Sequence, residues 1–161
     1  MSTRERALQI STVIHSGQTR WDGTDYINHP KAVEELYVFL FGESDEGRCV
    51  SLLHDTVEDH PDKISFDDLI KEGFTKNTVD TVRLLTRDKN VPYLEYLKNI
   101  MDRTYSPAAH SFAQCVKIAD LTHNLSCFPE DKRHGSMYDK YCLALFILEQ
   151  FVRSEQIRRD S

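Results

Sequence analysis

Val50-Ser-Leu-Leu-His-Asp-Thr-Val-Glu-Asp59 sets four metal- or proton-handling groups within six consecutive positions: His54, Asp55, Glu58 and Asp59. His54 and Glu58 are four residues apart, as are Asp55 and Asp59. On a helix each pair shares one stripe, and the two stripes lie roughly 100° apart, so all four groups can border a single concavity. Val50, Leu52, Leu53 and Val57 supply the apolar face that buries such a helix. Buried carboxylates are costly unless a cation or hydrogen bonds compensate them. No Lys or Arg lies in this stretch, so the compensating charge must come from elsewhere, and a divalent metal would supply it.

Outward from this stretch the pattern stays helical. Ser44 is a suitable N-cap for a helix over Asp45–Asp59. Upstream, Leu8, Ile10, Val13 and Ile14 mark an imperfect helix within residues 4–16 that ends near Gly17. The following stretch to Pro30 is rich in turn formers and reads as a loop, yet it holds His15, Arg20, Trp21, Tyr26 and His29. Trp21 is the aromatic best suited to line a pocket. Pro30 fits the first turn of a helix through Ala32, Val33, Leu36, Phe39 and Leu40 that stops at Gly42. His29 therefore sits beside a helix N-terminus.

Downstream, Ser65-Phe-Asp-Asp68 reads as a capping box opening a short helix to Glu72. Thr75–Leu85 is amphipathic, with Val79, Val82 and Leu85 inward. A polar connection, Thr86–Pro92, leads to a helix carrying Tyr93, Leu94, Tyr96, Leu97, Ile100 and Met101. Pro107 starts a long helix through Phe112, Val116, Ala119 and Leu125. An irregular polar segment, Phe128–Gly135, precedes a strongly apolar last helix from Met137 to about Val152. Nothing reads as a strand hairpin, an internal repeat or a linker. The expectation is an all-α fold, a compact multi-helix bundle forming one domain over 1–161.

A net charge of −6 and a pI near 5.6 argue against general nucleic-acid binding, which needs a basic surface. No apolar run approaches the roughly 18 residues of a membrane span, and Met1–Arg6 lacks the apolar core of a signal peptide. A soluble, cytoplasmic chain without a membrane partner is expected. Cys49, Cys115, Cys127 and Cys142 show no CxxC spacing and read as reduced, buried thiols. Oligomeric state is not legible.

Lys117-Ile-Ala-Asp-Leu-Thr-His-Asn124 is the other place where polar groups interrupt an apolar helix. Lys117, Asp120 and Asn124 share one face. Taken alone, Lys117 and Asp120 make an ordinary solvated salt bridge. Set beside His29, His54 and Asp55, Asp120 completes two imidazoles and two carboxylates, a mixed nitrogen and oxygen set that suits Mn, Fe, Zn or Ni without choosing among them. Such a set leaves positions on an octahedral ion for water and a phosphate oxygen, and the water becomes a nucleophile near neutral pH.

These motifs resemble a family. His54-Asp55 with outlying His29 and Asp120 is similar to the HD-domain metal-dependent phosphohydrolases, and more closely to the hydrolase domain of RelA/SpoT-type alarmone enzymes and their small single-domain relatives. The shared pattern is His15-x-Gly-Gln-x-Arg20, Gly23-x-x-Tyr-Ile-x-His-Pro30, Leu53-His-Asp-Thr-Val-Glu-Asp59 and Val116-Lys-Ile-Ala-Asp-Leu-x-x-Asn-Leu125, in that order. The resemblance implies one Mn2+ held by His29, His54, Asp55 and Asp120. It implies that Glu58 and Asp59 act on the attacking water, and that Arg20, Lys117 and Asn124 face substrate phosphates or ribose. The implied reaction removes pyrophosphate from the 3′ position of ppGpp or pppGpp, leaving GDP or GTP, with no room for a synthetase domain. Asp25 stands where the family commonly has Pro, and residues 86–110 and 128–135 depart from the small hydrolases. The alternatives are an HD phosphohydrolase acting on another nucleotide, such as a nucleoside mono- or triphosphate or NADPH, and a non-catalytic nucleotide-sensing module.

Other polar and aromatic residues have plainer readings. His15 holds the loop together, and His60 lies past the helix end. His110, His123 and His134 are surface or packing residues, with His123 near enough to lend a donor. Arg87 and Lys89 could reach a substrate, but a solvated connection is the plainer reading, and Tyr93 and Tyr96 read as a core stripe before base-stacking platforms.

Overall fold

Hydroxyl caps decide where several helices begin. The computed structural model describes residues 2–102, 104 and 106–160; Met1 and Ser161, the ends of the expected domain, lie outside them. The chain runs through α1 (Thr3–Ile14), α2 (Asn28–Phe41), α3 (Asp45–Leu53), α4 (Thr56–Asp59), α5 (Phe66–Lys71), α6 (Lys76–Leu85), α7 (Tyr93–Met101), α8 (Pro107–Ser126) and α9 (Ser136–Asp160), with a 3-10 turn at Glu130–Lys132. Ser2 and Glu5 form a capping box on α1, and Ser65 and Asp68 form the expected one on α5. Ser44 and Thr75 accept amide hydrogen bonds from Gly47 and Thr78 at the starts of α3 and α6. Extended pairing among the described residues is one isolated bridge, Thr19 to Asp25, and the fold is all-α as expected. No helix among them is long and apolar enough to cross a membrane.

α3 and α8 occupy the middle. α3 packs on α1, α2, α6 and α8, and α8 also receives α2, α6, α7 and α9. The core joins Val50, Leu52 and Leu53 of α3 to Val33 of α2, Val79 and Val82 of α6, Ile100 of α7, Val116 and Leu121 of α8 and Leu148 of α9. A buried aliphatic side chain of this kind contributes roughly 1.5–3 kcal/mol, so these interdigitating faces fix the relative placement of α2, α3 and α8. Glu34 of α2 adds a polar tie, bonding Arg4 of α1 at 2.7 Å and Arg48 of α3 at 2.8 Å.

The structure corrects the sequence reading in four places. The continuous helix over Asp45–Asp59 is broken at His54-Asp55. There the Thr56 hydroxyl donates to the Leu53 carbonyl at 2.7 Å and His54 Nδ1 donates to the Ser51 carbonyl at 2.8 Å, so side chains serve carbonyls at the helix end. On α2 the inward face is His29, Val33, Glu34 and Tyr37, whereas Phe39 and Leu40 are exposed. The last helix extends to Asp160 and buries Ala144 and Leu148, leaving Leu143 and Phe146 in solvent. Cys49 is buried and Cys115 half-buried, but Cys127 and Cys142 are exposed.

Candidate active site

The break between α3 and α4 turns His54 and Asp55 toward α2 and α8. Three helical regions thus meet at one point. His29, His54 and Asp55 each offer a ligand atom within 4.8 Å of the others. His29 Nε2 lies 3.1 Å from Asp120 Oδ1 and 3.6 Å from Asp55 Oδ2; His54 Nε2 lies 3.0 Å from Asp55 Oδ2 and 3.8 Å from Asp120 Oδ1. The four residues expected to cage a cation are therefore brought together. His54 Nε2 is buried and makes no aligned hydrogen bond to any described residue.

Each of these side chains is held from behind. His54 gives its Nδ1 proton to Ser51, which leaves Nε2 as the nitrogen turned toward Asp55 and Asp120. His29 Nδ1 lies 2.8 Å from His123 Nδ1. For His29 Nε2 to serve as a ligand, Nδ1 must carry the proton and donate to His123. His123 suits the acceptor role: burial, then the neighbouring His29 and Arg20 charges, pull its imidazole down to about 4. The Tyr26 hydroxyl donates to Asp55 Oδ2 at 2.6 Å. Asp120 accepts from Lys117 Nζ at 2.8 Å and Asn124 Nδ2 at 2.6 Å, and Arg20 Nη2 donates to Asn124 at 3.1 Å. Asp120 is buried and Lys117 half-buried, so the pair is not the solvated bridge that the two residues suggest when taken alone.

Burial and neighbouring charge pull against each other throughout the cluster. Burial opposes a charged His54, but Asp55 and then Asp120 outweigh it and hold the imidazole up at about 9. Burial likewise opposes ionised Asp55 and Asp120. The His54 charge on the first and the Lys117 charge on the second keep both carboxyls below the usual range. Glu58 goes the other way, its carboxyl raised by burial although the Arg87 amide donates to Oε2 at 2.7 Å.

A cleft of about 380 Å³ opens over the cluster. Glu58, Asp59, Arg20, Lys117 and Asn124 all border it, as does Trp21. His15 is buried and stacks on Tyr26 with centroids 4.6 Å apart. His15 Nδ1 and His60 Nε2 both donate to Gln18 Oε1, whose amide donates to Asp59 at 2.8 Å; His15 braces the loop as read, and His60, past the end of α4, joins it there. His110 packs against the Ile100 carbonyl, and His134 is exposed. Arg87, Tyr93, Lys140 and Tyr141 also line the cleft. Sequence reasoning assigned Arg87 to solvent and Tyr93 to the core, and gave Lys140 and Tyr141 no role. Tyr26, three residues before His29 in the quoted motif, could have been inferred; the other four carry no local signal.

An all-α bundle that gathers an adjacent His-Asp pair with a His from one neighbouring helix and an Asp from another is the arrangement that the resemblance to HD-domain proteins implies. Comparison with known proteins narrows this. The chain is 34% identical over 123 residues to human guanosine-3′,5′-bis(diphosphate) 3′-pyrophosphohydrolase MESH1, covering 72% of this chain and 66% of the human protein. Against the mouse protein of the same name it is 34% identical over 114 residues, covering 69% and 61%. The chain thus spans a little under two thirds of these relatives' own length. A solved structure, of a metazoan ortholog of SpoT described as hydrolyzing ppGpp with a role in starvation responses, shares the fold with a TM-score of 0.66 over 96% of each chain at 22% identity. No protein-family model matches the chain. In sequence the chain is thus similar to (p)ppGpp 3′-pyrophosphohydrolases, and in fold to the metazoan SpoT ortholog.

Proposed function

We propose that the chain is, as one domain acting in the cytoplasm, a Mn2+-dependent hydrolase that removes the 3′-pyrophosphate from (p)ppGpp. The observation that carries this reading is the convergence of His29, His54, Asp55 and Asp120, with a buried imidazole nitrogen that has no aligned hydrogen-bond partner among the described residues. Two imidazole nitrogens with Nδ1 committed elsewhere, facing two carboxylates, are a donor set that fits a divalent transition ion. These four residues would hold it. When bound, such an ion acts as a Lewis acid toward a phosphoryl oxygen and acidifies water.

The chain's own groups do the rest. Glu58, its carboxyl raised by burial, accepts a proton from the attacking water. Asp59, fixed by Gln18, orients that water. Arg20, spread over the Trp21 ring at 4.6 Å and bonded to Asn124, offers its guanidinium to phosphate oxygens. Lys117 neutralises Asp120 and keeps positive charge beside the leaving pyrophosphate. Arg20 over Trp21 and Lys117 over Tyr96 are half-buried, which strengthens their pull on phosphate relative to open water.

The test is incubation of metal-loaded protein with ppGpp, followed by nucleotide chromatography and pyrophosphate quantification. GDP and pyrophosphate should appear in equal amounts. Intact ppGpp alongside hydrolysis of a nucleoside triphosphate or NADPH would replace the substrate. Intact nucleotides throughout would leave a binding module.

A further inference from the structure

One wall of the cleft comes from α7, α9 and the α6–α7 connection, segments that supply none of the proposed metal ligands. Arg87 and Lys140 share a single ring on this wall. The Arg87 guanidinium carbon lies 5.8 Å from the Tyr93 centroid and Lys140 Nζ lies 4.8 Å from it; Nζ is also 5.4 Å from the Tyr141 centroid. Lys117 Nζ follows at 5.7 Å from Tyr96, so cations and tyrosines are interleaved along this side.

Their charge is not balanced alike. Lys117 is paired with Asp120, whereas neither Arg87 nor Lys140 has a carboxylate within 4.0 Å among the described residues. Burial, followed by the charges of Arg87 and Lys117, pushes the Lys140 ammonium below the ordinary lysine range. The Tyr93 hydroxyl is buried and finds no hydrogen-bond partner there. Cations that repel one another, seated on aromatic faces beside an unused hydroxyl donor, are stabilised when an anion arrives.

We propose that Arg87 and Lys140, seated on Tyr93, form an anion subsite for the phosphate group of the bound nucleotide that is not cleaved, the 5′-di- or triphosphate. The proposal rests on reading the cleft as a (p)ppGpp site, and deepens it. With 3′ phosphates at the His-Asp cluster and 5′ phosphates on the Arg87–Lys140 wall, both ends of the nucleotide meet cationic groups. Such a subsite favours bis-phosphorylated nucleosides over those charged at one end.

Titration calorimetry on the manganese-loaded protein reads this directly with three probes: GDP, carrying only the 5′ group; guanosine 3′-diphosphate, carrying only the 3′ group; and inorganic pyrophosphate. Lys140→Gln and Arg87→Gln should each weaken GDP binding roughly tenfold while guanosine 3′-diphosphate binds as in the parent protein, and Lys140→Arg should retain GDP. Equal weakening of both nucleotides, unchanged GDP binding, or a parent protein that binds neither GDP nor pyrophosphate would overturn the subsite. Lys140-dependent GDP binding without pyrophosphate release from ppGpp would keep the subsite and refute only the substrate reading.

Discussion

Gly47 is the tightest point of the helix packing. A Cβ built on it would land on the Tyr37 ring, so α2 and α3 approach only because that methyl is missing. Gly47→Ala should lower stability by about 1–3 kcal/mol in denaturant titration, through overpacking. Tyr37→Leu in the same chain should recover much of the loss; no recovery would place the cost elsewhere. His54 has a different dependence. Its Nδ1 is spent on Ser51 and its Nε2 faces both carboxylates, so no other side chain there replaces it. His54→Ala and Asp55→Ala should each abolish pyrophosphate release from ppGpp, and activity surviving either substitution would exclude this site. The four converging side chains proposed as ligands were legible at this scale, because His and Asp interrupting apolar periodicity carry their own signal. The bonds that aim them were not. Whether Tyr26 meets Asp55, or His123 meets His29, depends on packing between helices distant in sequence.

The interrupted α3–α4 element shows why helical spacing alone misled. The 54–59 pattern is compatible with one continuous helix, but Thr56 and His54 side chains bond carbonyls at the end of α3, and the chain turns at Asp55. Thr56→Val keeps the shape and removes the hydroxyl, leaving the buried Leu53 carbonyl without that donor. A loss of about 1–3 kcal/mol is expected, together with weaker metal binding as Asp55 shifts; unaltered metal affinity would mean the bond does not position the ligand. At the other face, Glu34 joins α1, α2 and α3. Burial works against its ionisation, but Arg4 and Arg48 hold its carboxyl below the ordinary value of 4.5. A depressed carboxyl stabilises the fold above its unfolded-state value, and that contribution fades as pH falls from about 4.5 through the lower folded value. Glu34→Gln should therefore cost about 1–2 kcal/mol near neutral pH, an amount limited by screening of guanidiniums 33% and 28% exposed. The difference from the parent should shrink in acid. A constant difference across pH would refute the ionic origin. The arginines sit far from Glu34 in sequence, so no periodicity exposes this tie.

Across the whole molecule, the proposed ligands come from α2, the α3–α4 break and α8, which are adjacent only in the folded chain. Folding and cation binding are thereby linked. At a hundredfold excess over Kd, an ion that binds only the native state contributes about 2.7 kcal/mol, or roughly 5–10 °C in Tm for a chain this size. Manganese should raise the melting temperature by that amount, and a chelator should reverse it. The all-α class and most helix limits were legible because caps and apolar spacing are local. The Arg87–Lys140 wall was not, since its residues belong to a connection and a helix distant in sequence that converge on Tyr93. The most direct measurement is the manganese content of the protein after equilibrium dialysis, for the parent chain and for His54→Ala. One ion per chain, absent from the variant, is the expected result. No bound manganese in the parent, or equal binding by both, would contradict the cation cage on which the enzymatic reading depends.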